Sequence, residues 1–157
     1  MRFELLDATE IKYVEMFDGA IAIESPCYMD RMLFFKSMSK TLKKGARLHI
    51  FDWEKKNDND ITKIVDWHWK TEMGTISEYD IAAKKFNFVK VKEEILNDDT
   101  LQFWEIANQW NELSLSANSI SNLEVIRLEE SKKCISALID GFRNYEIMSV
   151  YQIYQKE

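Results

Sequence analysis

The chain has 157 residues, 46% hydrophobic and 13% aromatic, which is enough for a hydrophobic core and suggests one domain. Lysine and arginine total 21 against 27 for aspartate and glutamate, and without a basic stripe among the aromatics this disfavours nucleic-acid binding. The acidic first twenty residues argue against a signal peptide, and no apolar run approaches the ~20 residues of a membrane span, so we expect a cytoplasmic protein.

The N-terminal third predicts a strand, a helix and a second strand. Within the strand expected over Phe17–Ile23, the run Gly19–Ile23 is continuously apolar, which is typical of a parallel strand covered on both faces, and it ends at Glu24-Ser25-Pro26. Asp30 is a good N-cap for the helix that follows, and Lys43-Lys44-Gly45 suits its end. Arg47–Phe51 predicts the second strand. Together these segments predict a strand–helix–strand unit of an α/β fold.

The rest of the chain predicts mostly helices. A charged loop from Glu54 to Asp60 leads to a helix over 61–73 that Asp60 caps and Gly74 ends, and a short helix opens at Ser77. A strand is expected over 86–96 and a final strand over 148–154. Two further helices are expected over 101–113 and from 121 or 122 to about 138, separated by a serine-rich loop over 114–121. The first of these carries an apolar stripe formed by Phe103, Ile106, Ala107, Trp110 and Leu113.

Residues 17–53 resemble the fourth and fifth strands of class I S-adenosylmethionine-dependent methyltransferases. The resemblance lies in the pattern FD-x(5)-ES, a helix, LKKGARL and a strand ending in DW. The run AIESPCYMD is similar to a run of sterol and related small-molecule C-methyltransferases, although Tyr28 stands where that family has histidine. Phe3–Ala8 resembles the third strand of the family. The resemblance implies a partial Rossmann-like methyltransferase sheet with a helical, aromatic-rich cap.

The resemblance also implies a division of the chain and a strand order. By this resemblance residues 1–157 are a single domain, the back half of the fold. The core strands and helix are expected over 1–56, the cap and sixth strand over 57–145, and the last strand over 146–157. The sheet of the family runs third, second, first, fourth, fifth, seventh, sixth. We therefore expect the strand over 17–23 to lie at an open edge of the sheet.

S-adenosylmethionine is the cofactor that the resemblance implies. Asp7 is then the acceptor for the adenine amino group, with Ala8, Glu24 and Ser25 also on the cofactor side; a turn-forming role for Asp7 stays open. The four glycines, at 19, 45, 74 and 141, do not form the GxGxG turn that binds the methionine part in the family. We therefore expect a second chain to carry the GxGxG half, in an obligate complex that shares the cofactor.

Catalytic and substrate-binding candidates follow from the expected strand ends. Ligands bind at the carboxyl ends of strands in open α/β sheets, so Glu24 to Tyr28 and Asp52-Trp53 should line one crevice. Methyl transfer needs a group that accepts a proton or steadies positive charge, which makes Glu24 and Tyr28 the catalytic candidates. The aromatic content suggests an apolar small-molecule substrate. Its candidate ligands are Cys27, Trp53, Trp67, His68 and Trp104.

Each of these residues also has a structural interpretation. Glu24 could serve only to cap or position a helix, Cys27 could be a small buried hydrophobe, and the Trp67–Trp69 run could simply fill an amphipathic helix. With His49 and His68 as the two histidines, a metal site is not expected. Two other hypotheses for the function of the whole chain remain open. One is a methyltransferase-like interaction module without catalysis, and the other is a gene truncation without activity.

Overall fold

A computed structural model describes residues 3–116 and 121–157. Within these ranges the elements are four strands, five α-helices and a short 3-10 turn. They are, in chain order, β1 (Phe17–Ile23), the 3-10 turn (Pro26–Tyr28), α1 (Arg31–Thr41), β2 (Leu42–Lys55), α2 (Asp60–Trp69), α3 (Ile76–Lys85), β3 (Phe88–Ile95), α4 (Asn97–Leu115), α5 (Asn122–Arg143) and β4 (Ile147–Lys156).

The four strands form one sheet in the order β1-β2-β4-β3. β1 pairs parallel to β2, whereas β4 pairs antiparallel to both β2 and β3. This is the order expected from the resemblance, with the last strand of the chain inserted between β2 and β3. The strand order therefore confirms the predicted part of a Rossmann-like methyltransferase sheet, with β1 at one edge.

Two hydrophobic clusters cover the two faces of the sheet. Leu48 and Ile50 of β2 pack with Phe35 of α1 and Tyr79 of α3 on one face. On the other face Trp53 packs with buried residues of the helices α2, α4 and α5. Successive residues of a strand point to opposite faces, so β2 contributes to both clusters.

Helix starts follow side-chain capping. Asp30 caps α1 as predicted, since its carboxylate accepts a hydrogen bond from the Leu33 amide at 2.8 Å. Ser121 likewise caps α5. The predicted caps of α2 and α3 are off by one or two residues, because Asn59 and Thr75 form complete capping boxes there.

β2 is longer than predicted and contains an irregularity near its start. It begins at Leu42, directly after α1, where the sequence suggested a turn at Lys43-Lys44-Gly45. Phe17 pairs with Leu42 but Gly19 with Arg47, so the intervening residues of β2 bulge, and Gly45 takes a positive φ of 79° there. At its other end β2 includes Glu54, which the sequence assigned to a loop.

Other boundaries differ where the sequence carries a weak signal. α2 ends at Trp69 rather than near Gly74, and Lys70 closes it in a left-handed conformation. α4 includes Ser114 and Leu115 of the predicted loop, and the part of that loop over 117–120 lies outside the described residues. The predicted third strand over 3–8 is not a strand. A strand needs a neighbour to share its backbone hydrogen bonds, and this segment has none in the described sheet.

Candidate functional site

A cavity of about 400 Å³ lies at the carboxyl ends of β1 and β2, and we call it the strand-end cavity. The turn after β1, the end of β2, the end of α2 and the first turns of α4 contribute its walls. The lining residues are Glu24, Cys27, Tyr28, Trp53, Trp69, Thr71, Thr100, Phe103 and Trp104. This position agrees with the rule that open α/β sheets bind ligands at the carboxyl ends of their strands.

The turn after β1 fixes the polar side of the cavity. Glu24 adopts a left-handed conformation with φ 45°, and its amide donates a 2.7 Å hydrogen bond to the Phe51 carbonyl of β2. Such a conformation is uncommon for a residue other than glycine and is often found at functional sites. The amide of Glu72 donates to the Cys27 carbonyl at 2.8 Å and ties the turn to the segment after α2.

The electrostatic environment of this turn disfavours negative charge. Glu24 is exposed in the chain alone, yet partial desolvation is the main cause that raises the pKa of its carboxyl, and the nearby carboxylate of Asp52 raises that pKa further. Burial also raises the pKa of Cys27 far above its ordinary value, with Asp52 again adding to the effect, so the thiol is not a nucleophile at neutral pH. The pKa of Tyr28 is raised in the same direction, first by burial.

Asp52 does not line the cavity but lies next to residues that do. Its side chain is fully buried and accepts hydrogen bonds from the Tyr79 hydroxyl at 2.7 Å and the Trp53 amide at 3.0 Å. Burial raises its pKa, while these hydrogen bonds act in the opposite direction. The sequence placed Asp52 in the crevice, but the alternation of β2 points it to the face opposite Trp53.

Aromatic rings form the apolar wall. Trp104 contacts Trp53 with ring centroids 5.6 Å apart and Trp69 at 6.4 Å, both edge to face. Phe103 lies 5.0 Å from Trp104 in the same kind of arrangement. The indole Nε1 of Trp53 is buried and has no hydrogen-bond partner among the described residues. The aromatic wall is therefore apolar.

Five of the predicted site residues line this cavity, namely Glu24, Cys27, Tyr28, Trp53 and Trp104. Trp67 and His68 do not: they line a separate groove of about 480 Å³ between α2 and α5, with Lys63 and Cys134 among its other residues. Trp67 is 62% exposed, and the Lys70 ammonium lies 4.4 Å from the centre of its ring. The structure thus separates Trp67 and His68 from the other substrate candidates.

The predicted cofactor residues lie before and after β1. The Asp7 carboxylate accepts hydrogen bonds from the Thr9 amide at 2.8 Å and the Thr9 hydroxyl at 2.7 Å. These hydrogen bonds lower the pKa of the Asp7 carboxyl. They also give Asp7 the turn-forming role that the sequence had left open. Both bonds use Oδ1. Ala8 is half-buried beside it, and Ser25 is half-buried in the turn after β1.

Sequence reasoning missed four residues of the cavity as ligands. Trp69, Thr71, Thr100 and Phe103 come from the end of α2, the segment after it and the start of α4. Trp69 was recognisable as the third member of the run that holds Trp67. No signal marked Thr71 or Thr100, because their positions depend on how α2 and α4 pack against each other.

A second, more polar groove of about 510 Å³ adjoins the strand-end cavity and shares Cys27, Tyr28 and Thr71 with it. Arg31 anchors this groove by donating to the Glu72 carbonyl at 2.7 Å, and its guanidinium lies 3.9 Å from the Glu78 carboxylate. Because the Arg31 guanidinium already has these two partners, the groove is polar without an excess of positive charge.

The described residues contain no group of three or more histidine, cysteine, aspartate or glutamate side chains placed to hold a metal ion. None of the helices over the same ranges is both long and apolar enough to cross a membrane.

No protein-family model matches the chain, and no curated protein matches it. Solved structures do. Geranyl diphosphate C-methyltransferase from Streptomyces coelicolor A3(2), solved with Mg²⁺, geranyl diphosphate and S-adenosyl-L-homocysteine, has a TM-score of 0.80 at 16% identity, over 98% of this chain and 53% of its own. A proposed sarcosine dimethylglycine methyltransferase from Galdieria sulphuraria has a TM-score of 0.79 at 17% identity, over 96% and 57%. The 4+2 cyclase SpnF has a TM-score of 0.70 at 16% identity, over 98% and 56%.

These structures show that the chain has the Rossmann-like fold of class I methyltransferases. It spans about half the length of the neighbours it matches. At this identity the likeness shows the fold alone, and the cyclase among the neighbours shows that the fold carries more than one reaction.

Proposed function

We propose that this chain is the substrate-side half of a two-chain S-adenosylmethionine-dependent methyltransferase that acts on an apolar small molecule. The strand-end cavity supports this proposal, because it joins a raised-pKa carboxyl to an aromatic wall at the edge where this fold binds ligands. A second chain supplies the GxGxG half, and the two chains share the cofactor.

The wall of the cavity favours an apolar substrate. Trp53, Trp69 and Trp104 offer apolar surface, and a volume near 400 Å³ suits a small molecule. A protein or a nucleic-acid substrate would need a broader contact surface than this cavity offers.

The cofactor, when bound, supplies an electrophilic methyl group on a sulfonium centre. A substrate atom that received this methyl group would have a proton to release. The Glu24 carboxylate accepts that proton, since its raised pKa makes it a better base than an ordinary glutamate. Tyr28 donates a hydrogen bond that orients the substrate, and the rings exclude water.

The cofactor side of the chain fits an adenosine group. Asp7 keeps one carboxylate oxygen outside the Thr9 hydrogen bonds, and its lowered pKa keeps it ionised, which suits an acceptor for an amino group. Ser25 in the turn after β1 adds a hydroxyl. In this proposal the second chain completes the site beside these groups.

Two conservative variants test the catalytic assignment in the assembled enzyme. We expect Glu24→Gln and Tyr28→Phe to lower turnover by ~10²-fold or more while assembly stays unchanged, because each keeps size and removes one polar function. Glu129→Gln and Tyr145→Phe are matched controls, since both residues are exposed and lie outside the cavity. Wild-type turnover in both test variants would assign the catalysis to other residues.

The alternative function is an interaction module that stabilises or activates a partner enzyme without taking part in catalysis. The absence of a GxGxG turn from the 157 residues favours it, because the chain alone lacks the contacts for the methionine part of the cofactor. The same variants separate the two functions: a module without catalysis would leave the partner's turnover insensitive to Glu24→Gln.

A further inference from the structure

One face of α4 is apolar and exposed along three turns of the helix. Phe103, Ile106, Trp110 and Leu113 expose 62%, 47%, 67% and 63% of their surfaces. We call these four residues the α4 stripe. The sequence predicted the stripe but not its exposure, and an exposed apolar patch of this kind marks an interaction site.

The spacing of the stripe is that of a helix pairing with another helix. Its residues are separated by three, four and three positions, the alternation of the two core positions of a heptad. The stripe is also symmetric about its centre. If a second copy of α4 packs antiparallel, Phe103 faces Leu113 of the copy and Ile106 faces its Trp110. Such self-complementarity is what a two-fold interface requires.

The residues that flank the stripe support pairing with an identical helix. In a heptad these flanking positions decide which partners attract and which repel. Here they are all uncharged, although 31% of the chain is charged. They are Thr100, Gln102, Ala107, Gln109, Ser114 and Ser116. Two copies of α4 can therefore meet without bringing like charges together.

Two charged residues of α4, Glu105 and Glu112, have ion-pair partners elsewhere in the fold. Glu105 forms an ion pair with Arg143 at 2.5 Å, and Glu112 forms one with Lys132 at 3.0 Å, both on α5. These ion pairs hold the carboxylates toward α5 and away from the stripe.

The exposed apolar area is large enough for a dimer. Leu123 and Ile126 at the start of α5 are also exposed, and Asn111 of α4 donates to the Leu128 carbonyl nearby. If a partner covered all of this surface together with the α4 stripe, at most roughly 650 Å² per copy, or ~1,300 Å² in a pair, would be buried, which lies at the lower end of the ~1,200–2,000 Å² of stable interfaces.

We propose that the α4 stripe binds a second copy of this chain, with the two α4 helices antiparallel about a two-fold axis. Phe103 belongs to both the stripe and the strand-end cavity, so the copy covers part of the cavity wall. The dimer forms through α4 and not through backbone pairing at β1, and it does not depend on the proposed enzyme activity.

Sedimentation velocity of the purified chain tests the dimer. We expect the wild type to dimerise at micromolar concentration and Trp110→Glu and Leu113→Glu to weaken that association by at least ~10-fold, because each places a charge against an apolar surface. Trp67→Glu is the matched control, since Trp67 on α2 is 62% exposed, close to the 67% of Trp110. It should dimerise like the wild type.

Ile21→Glu separates this dimer from association through the sheet edge, because Ile21 lies on β1 and is 74% exposed. The stripe dimer should survive Ile21→Glu. Three outcomes overturn the proposal: a monomeric wild type, equal behaviour of the Trp110 and Trp67 variants, or loss of association only in Ile21→Glu. Binding of the stripe to a different partner would appear as the first of these.

Discussion

Glu54 lies in β2 with its side chain completely buried, and neither carboxylate oxygen has a hydrogen-bond partner among the described residues. Burial raises its pKa to about 9, and the negative charges of Asp52 and Glu93 add to this while Lys90 opposes it. A buried carboxyl without partners avoids the cost of an unpaired charge by staying protonated. Glu54 is therefore a neutral acid at pH 7.

This protonation makes stability depend on pH. The pKa of Glu54 is about 9 in the folded chain against an ordinary 4.5, so between these values the folded state holds a proton that the unfolded state has lost. The free energy of unfolding should then fall as pH rises, by up to about 1.4 kcal/mol per pH unit from this group. Glu54→Gln should remove this slope, because the amide does not titrate.

Urea unfolding followed by tryptophan fluorescence, between pH ~5.5 and ~8, measures the slope. Glu129→Gln on α5, which replaces an exposed glutamate, should keep the wild-type slope. Equal slopes for the wild type and Glu54→Gln would mean that Glu54 is ionised in the folded chain and has partners in solution.

At the residue scale, the sequence predicted the polar side of the cavity better than its apolar wall. Glu24, Cys27 and Tyr28 follow a strand directly, and strand ends meet at one edge of a sheet. Trp69 and Phe103 lie on helices, where direction depends on helix packing that no local pattern specifies. Glu54 was placed in a loop because a charged residue rarely continues a buried strand.

Among the elements, β1 is the one whose surroundings differ most from its sequence pattern. Its continuous apolar run predicts cover on both faces, and on one face Ala22 is indeed buried against the core. On the other face Ile21 and Ile23 are 74% and 64% exposed. The outer edge of β1 also lacks a neighbouring strand in the described sheet. An edge of this kind favours pairing with another chain.

The substitution Ile21→Glu tests β1 as the contact with the second chain. Ile21 is already exposed, so the fold of the purified chain should lose at most ~0.5 kcal/mol of stability. Assembly with the GxGxG half should weaken by ~100-fold or more, because the charge would be buried there without a partner. Calorimetric titration of one half with the other measures assembly.

Val91→Glu on β3 is the control for that titration, since Val91 is also exposed, at 49%, but lies on the strand at the other edge of the sheet. If the two variants assemble equally well, the second chain does not contact this face of β1.

The sequence predicted most elements because their signals are local. Alternating or continuous apolar runs predicted the strands, and the side-chain cap Asp30 predicted the start of α1. The packing of one element against another was harder to predict. The period of α4 shows which face is apolar, but not that the fold leaves this face exposed, since that depends on where the neighbouring helices lie.

At the scale of the whole molecule, the chain presents the strand-end cavity next to an open sheet edge. The aromatic wall of the cavity comes from the described residues, whereas the fold spans about half of its structural neighbours. Apolar surface at β1 costs on the order of 25 cal/mol per Å² while it stays in water, so covering it would stabilise a complex by several kcal/mol. Folding and assembly should therefore be coupled.

The last prediction concerns the cofactor. We propose that Asp7, Ala8 and Ser25 contact the adenosine part, but the 157 residues contain no glycine-rich turn for the methionine part. We expect the purified chain to bind S-adenosylmethionine negligibly, and the complex with the GxGxG half to bind it in the micromolar range or tighter, worth about 8 kcal/mol. Isothermal titration calorimetry on each measures the difference. Asp7→Asn should weaken binding by the complex roughly 10-fold, because an amide is a weaker acceptor for an amino group than a carboxylate. Micromolar binding by the chain alone would mean that it holds the cofactor without help, which would contradict the two-chain site while leaving the cavity and its substrate untouched.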